Sequence, residues 1–143
     1  MAGTTQRVAF LAAHADAALV SAEMPLRANL SVLDNIALIP EYRDNVPYDA
    51  AADATWQLLL MAGIEDCAFK RDPDLDSAQR FAAKLLRAAI ARPPIIMIDR
   101  PGLLLPDQHH PSHVAALLAR LGEHLNTCWI VDYAWNRPLY PHP

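Results

Sequence analysis

Leu75-Asp76-Ser77-Ala78-Gln79-Arg80-Phe81-Ala82-Ala83-Lys84-Leu85-Leu86-Arg87-Ala88-Ala89-Ile90-Ala91-Arg92-Pro93-Pro94-Ile95-Ile96-Met97-Ile98-Asp99-Arg100-Pro101 is the stretch on which the fold of this 143-residue chain turns. Ala78, Phe81, Ala82, Leu85, Leu86, Ala89 and Ile90 recur at i, i+3, i+4, i+7, i+8, i+11 and i+12. That spacing is one apolar stripe along a helix of about four turns. Asp76 is placed to cap its start, and Pro93-Pro94 end it directly before Ile95-Ile96-Met97-Ile98, an apolar run as long as a buried strand. Arg80, Lys84 and Arg87 lie on another face and read as solvated. Asp99 and Arg100 are successive residues at a strand end, where neighbours point to opposite faces, so no direct pair between them is expected.

Working outward, Val8-Ala9-Phe10-Leu11-Ala12 and Trp129-Ile130-Val131 read as two further short strands. Strands separated by helical stretches predict an α/β fold with a mostly parallel sheet. Ser31, with Asp34 three residues on, opens a short helix through about Leu38 that Pro40 stops. Asp49 caps a helix from about Ala50 to Ala62, ended by Gly63. These form a helical insertion from about Pro25 to Asp74. Ser112 opens a last helix to about His124 that turns Val114, Leu117, Leu118 and Leu121 inward, with Gly122 near its end. The tail from Asn136 to Pro143 holds three prolines and is expected to lack regular structure.

The length fits a single domain, residues 1–143, and a 53% hydrophobic content with a formal net charge of -4 excludes a disordered chain. A pI near 5.8 gives no general attraction for nucleic acid. The 4 glycines, Gly3, Gly63, Gly102 and Gly122, lie too far apart to write a phosphate loop or a dinucleotide turn. Cys67 and Cys128 read as reduced thiols of a cytoplasmic protein. The apolar run after Arg7 is too short for a signal peptide and is broken by His14 and Asp16. No apolar stretch approaches the ~20 residues of a membrane span, so any membrane connection passes through a partner.

The order of parts in the opening stretch resembles the core of an ABC-transporter ATPase, a P-loop NTPase. There a Leu-Ser-Gly-Gly-Gln signature, a helix ending in Ala-Arg-x-Pro and a Walker B strand ending in Asp-Glu-Pro follow at the same spacing. Upstream, Asn29 to Leu38 is similar to the segment after the family's Q-loop. Downstream, Thr127 to Tyr133 is similar to the strand ending at its switch histidine. The resemblance covers residues 7 to about 135 and implies a partial P-loop NTPase sheet. Asp34-Asn35 and Met97-Ile98-Asp99 lean toward the Mla or toluene-tolerance type of lipid transporter ATPase.

The departures from that pattern carry the functional expectation. The family's Walker A loop, which holds the nucleotide phosphates, would fall before Met1. Asp76, Ser77, Ala78 and Gln79 stand at the signature, with Ser77 and Ala78 in place of its paired glycines. Asp76 puts a negative charge where a phosphate would sit, while serving as a helix cap. At Walker B, Asp99 keeps the carboxylate that holds Mg²⁺ through water, but Arg100 replaces the general base and cannot accept a proton. The Q-loop position falls at Ala13 or His14, the switch position at Tyr133, and Leu103-Leu104-Leu105-Pro106 replaces the D-loop. The resemblance therefore implies vestigial nucleotide-binding positions, no catalytic residue and no cofactor: a pseudoenzyme of transport type that acts by association, as a homodimer or on an ABC transporter subunit. Its alternative is half of a composite ATPase whose Walker A comes from another chain.

Other sites read plainly. His109, His110 and His113 are expected to be surface histidines, a Zn²⁺ or Ni²⁺ site being the alternative. Cys128 reads as a core thiol. Asp132 and Tyr133 close a strand where α/β folds bind ligands. The aromatics Trp129, Tyr133, Trp135 and Tyr140 either close the core or form an interface.

Overall fold

A computed structural model describes residues 17–106 and 110–131. The elements run β1 (Ala18–Val20), α1 (Val32–Asp44), α2 (Tyr48–Ala62), α3 (Ser77–Ala89), β2 (Ile95–Asp99), the one-turn α4 (Pro101–Leu104), α5 (His110–Leu121) and β3 (Thr127–Val131). Single 3-10 turns lie at Glu65–Cys67, Asp72–Asp74 and Gly122–His124. The sheet is parallel in the order β1-β2-β3, with Ala18, Leu19 and Val20 opposite Ile96, Met97 and Ile98, and Ile95 to Asp99 opposite Thr127 to Val131. The α/β, mostly parallel expectation holds. Ile96, Met97 and Ile98 are buried, as suits the middle strand of a parallel sheet covered on both faces.

α3 is the central helix. Phe81, Ala82, Leu85, Leu86 and Ala89 of its expected stripe are buried, with Ala78 and Ile90 half-buried at its ends, and Ala83, Lys84 and Ala88 beyond the stripe are buried too, because α1, α2, α4 and β1 all pack around it. Asp76 caps it as expected. Its Oδ1 accepts from the Gln79 N–H at 2.8 Å and Gln79 Oε1 accepts from the Asp76 N–H at 3.1 Å, a reciprocal pair. Asp76→Ala removes the side-chain half of the pair, the bond from the Gln79 N–H, and should cost about 1 kcal/mol in urea unfolding, with Asp76→Asn nearly neutral. An alanine variant as stable as the parent would show that the cap contributes nothing.

Several local expectations change. The first described strand is Ala18–Val20; Val8–Ala12 lies outside the described residues. Pro40 does not stop α1, which runs on to Asp44 and ends at Asn45 in the left-handed region (φ 54). A helical proline forfeits one hydrogen bond, and here it is buried with its own carbonyl accepting from the Val46 N–H at 3.2 Å. α2 starts after Pro47, so Asp49 sits in its first turn and is not the cap. Gly63 does end α2, at φ 72, a conformation that strains any residue with a Cβ.

The three cations of α3 are not a solvated face. Arg80 Nε bonds Asp72 Oδ1 at 2.7 Å, Lys84 Nζ reaches the Ser21 carbonyl at 3.2 Å, and Arg87 donates to the Pro25 and Met24 carbonyls at 2.8 Å each. Turn and loop carbonyls that lack a partner within their own element have to be satisfied by something, and these side chains do it.

Candidate functional site

The site candidates gather where β1 and β2 end. β1 hands over to Ser21 and β2 ends at Asp99; both side chains are buried. Ser21 Oγ donates to Asp99 Oδ2 at 3.2 Å. Arg100 leaves the strand with φ 46 and ψ 66, a left-handed conformation costing a non-glycine residue about 1–2 kcal/mol. That turn breaks the strand alternation and folds the guanidinium back on its neighbour. Arg100 Nε meets Asp99 Oδ1 and Nη2 meets Oδ2, both at 3.1 Å, so the pair excluded on sequence grounds is present and bidentate. Nη2 also reaches Glu23 Oε1 at 3.0 Å, and the Arg100 N–H donates to the Val131 carbonyl at 2.6 Å, tying in the end of β3.

The segment after Ser21 is held from two helices. Besides Lys84 and Arg87 of α3, the buried Asn35 of α1 accepts from the Arg27 N–H at 2.8 Å and donates to the Arg27, Leu30 and Ser31 carbonyls at 3.0–3.3 Å. Burial, with the nearby Arg87 and Arg80 charges adding, pushes the Lys84 amine below the ordinary lysine range, and Asp72 opposes this. Sign matters here. In the alkaline window between the folded and unfolded pKa values the unfolded chain binds the proton more tightly, so this group's contribution to stability rises with pH there. Lys84→Met should flatten that rise in urea titrations at two alkaline pH values; parallel curves for the two proteins would contradict it.

Chemically, this arrangement neutralises a strand-end carboxylate from within. Both Asp99 oxygens accept from donors of the chain itself, so a cation would have to displace the guanidinium. The residue following Asp99 is a permanent cation with no capacity to accept a proton.

The signature-like residues lie elsewhere. Asp76, Ala78 and Gln79 line a cavity of about 180 Å³ with Gly63, His113 and Arg120, and neither Asp99 nor Arg100 reaches it. Ser77 is the first residue of α3. Asp76 stands eight residues before Lys84, about 12 Å of helix rise from the strand-end cluster. The structure thus joins Asp99 to Arg100 and leaves the Asp76–Gln79 turn apart. Tyr133, Ala13 and His14 lie outside the described residues, as do Asp132, Trp135 and Tyr140; the residue beside Asp99 just after β1 is Ser21.

Sequence reasoning missed Ser21, Glu23 and Lys84. A three-residue strand offers too little periodicity to place Ser21, and Glu23 lies 77 positions from Arg100. Lys84 did carry a signal, since it stands between Ala83 and Leu85 in the tightest part of an apolar helix.

His113 packs edge-on to Phe81 at 6.4 Å between ring centroids, and His109 and His110 have no described side chains. Among the described residues no group of three His, Cys, Asp or Glu could hold a metal ion. Cys67 and Cys128 are free thiols, both pushed up by burial, so neither is activated; Cys128 is only half-buried. Of the D-loop leucines, Leu104 and Leu105 are buried and Leu103 is exposed.

No protein-family model matches the chain, and none of the curated proteins does. Among solved structures it is similar to the ATP-binding cassette MJ0796, determined as a dimer in a post-hydrolysis state bound to ADP and Pi, with 27% identity and a TM-score of 0.65. The match covers 84% of this chain and 53% of that one, so the chain spans about half the length of the structure it matches. Parallel sheet, helices and this likeness together give the chain an ABC ATPase-like fold, a partial P-loop NTPase of the α/β class.

Proposed function

We propose that the chain is a non-catalytic ABC-ATPase-like protein that works by association, with a second copy or with an ABC transporter subunit, in a regulatory or structural role. The observation that carries this reading is the Asp99–Arg100 pair. In ATPases of this type the carboxylate after the aliphatic strand serves a metal ion and its neighbour serves as base; here the neighbour is a cation bonded to both oxygens of that carboxylate. Asp76, Ser77, Ala78 and Gln79 are read as vestigial nucleotide-binding positions, with Asp76 serving the helix. Among the described residues no helix is long and apolar enough to cross a membrane, which fits contact with a membrane only through a partner. A cytoplasmic place and the lipid-transporter type, on the Asp34-Asn35 and Met97-Ile98-Asp99 forms, belong to the same proposal.

Titrating the purified chain with a fluorescent ATP analogue and Mg²⁺, alongside a phosphate-release assay, tests it. No saturable binding and no release are expected. Micromolar binding with hydrolysis would end the proposal. A second reading is half of a composite ATPase with Walker A supplied by another chain, with Asp99 as its contribution. It requires that co-expression with a Walker A-bearing chain yield hydrolysis that depends on Asp99.

A further inference from the structure

The α1–α2 helix pair joins a charge imbalance to an exposed apolar surface. Residues 32–62 hold Asp34, Glu41, Asp44, Asp49 and Asp53 against Arg43 alone, so the chain's whole formal net charge of -4 resides there. Along α2, Asp49, Asp53, Trp56 and Leu60 stand at i, i+4, i+7 and i+11 and share one face. Phe69, just beyond the Glu65–Cys67 turn, stacks on Trp56 with ring centroids 6.3 Å apart. Phe69 is 76% and Leu60 44% exposed. The stripe is acidic at one end and aromatic-aliphatic at the other, over about 16 Å.

Folding accounts for only part of this. Asp49 sits in the first turn of α2, where the helix dipole favours an acid. Asp53 is in the second turn, beyond that effect, and neither carboxylate is held in an ion pair among the described residues. Trp56 leans on the core, but Phe69 and Leu60 extend its apolar surface into solvent, the composition of a contact site.

From this we infer that the outer face of α2 docks a basic amphipathic helix of another protein. Its apolar anchors meet Trp56, Leu60 and Phe69, and its lysines or arginines meet Asp49 and Asp53. This rests on the association reading above and gives the partner a chemistry. Charge decides among the occupants. A second copy, laid antiparallel about a two-fold axis, sets each pair of carboxylates against the other copy's apolar end and buries them unpaired. An anionic lipid surface meets the acids with repulsion. The chain's own residues 1–16, 107–109 and 132–143 contain Arg7 and Arg137 as their only lysine or arginine, so no one of these segments can pair both carboxylates. A helix with apolar anchors three and four residues apart and cations in its next turn satisfies both ends of the stripe. Lys70 follows Phe69, so the partner's cations belong at the acidic end.

Anisotropy of a dye-labelled leucine-lysine amphipathic peptide of about four turns, titrated with the full chain, tests this. Saturable binding that weakens with salt is expected, and the same composition in scrambled order binds about tenfold more weakly. Asp53→Lys and Phe69→Ser each weaken binding about tenfold. Asp74→Lys, at an exposed residue off the stripe and with the same change in net charge, leaves it unaltered. Leu60→Gln repeats the apolar arm in case Phe69→Ser misfolds. No binding to the parent, equal losses for Asp53→Lys and Asp74→Lys, or full binding by a folded Phe69→Ser protein overturns the inference. So does co-sedimentation of the parent with phosphatidylglycerol vesicles that Phe69→Ser abolishes. ATP hydrolysis by a chain that still takes the peptide would end the non-catalytic reading and leave this one standing, whereas a chain that neither hydrolyses ATP nor takes the peptide ends this one alone.

Discussion

Phe81→Ala lowers the unfolding free energy by about 3–5 kcal/mol. Phe81 is fully buried, on the stripe of α3 that faces the rest of the core. Its ring meets His113 of α5 edge-on, so truncation opens a cavity between two elements that are far apart in the chain. Small domains have only about 5–15 kcal/mol of stability in total, so the loss removes a large part of it. The midpoint of urea unfolding by circular dichroism should fall with the slope unchanged. Phe81→Leu should lose less, since it keeps most of the volume; equal losses for the two would mean that cavity volume is not the cause.

Arg100→Met has the second large effect, about 3 kcal/mol of destabilisation, the range found when one partner of a buried ion pair is removed. The methionine fills the space but leaves the Asp99 carboxylate, 2% exposed, without its bidentate donor. The remedy distinguishes this cause from lost packing. Pairing Arg100→Met with Asp99→Leu removes both charges and should return much of the stability, because an apolar pair carries no desolvation penalty. A double variant less stable than either single one would show that the pair is not the source. Glu23→Gln should cost under about 1 kcal/mol, since the Glu23 side chain is 62% exposed and its pairing with Arg100 is screened by water.

Much of the fold was legible because it rests on local rules. The stripe from Ala78 to Ile90, the Asp76 cap and the aliphatic strand before Asp99 follow from helical and strand periodicity, and the α/β class follows from their order. Gly63 was legible for the same reason, since the left-handed residue after a helix favours glycine. Pro40 was misread because a local rule about proline was outweighed by burial. Ala18–Val20 escaped because three residues carry almost no period.

The candidate site was legible only as a list of parts. Asp99 and Arg100 could be named, and the loss of a proton acceptor after Asp99 follows from residue identity alone. Their pairing could not, because alternation along a strand forbids it until Arg100 adopts a positive φ. Lys84, Arg80 and Arg87 shared a face on paper; whether that face met water or loop carbonyls depended on what packed against it.

By itself, then, the amino-acid order determined the capped central helix, the aliphatic strand before Asp99, the class of the sheet and the absence of glycines at the Asp76–Gln79 turn, all consequences of periodicity, capping and side-chain chemistry within a few residues. Tertiary structure alone decided that Ser21, just after β1, lies beside Asp99, that Arg100 neutralises that carboxylate and reaches Glu23, and that Lys84 and Arg87 of α3 serve the loop from Ser21 to Pro25. For the adjacent Asp99 and Arg100 the physical reason is the left-handed turn at Arg100; for the others it is distance along the chain, since hydrogen bonds and ion pairs between residues more than sixty positions apart exist only once packing has brought their elements together, and no local pattern encodes which carbonyl or carboxylate will be waiting.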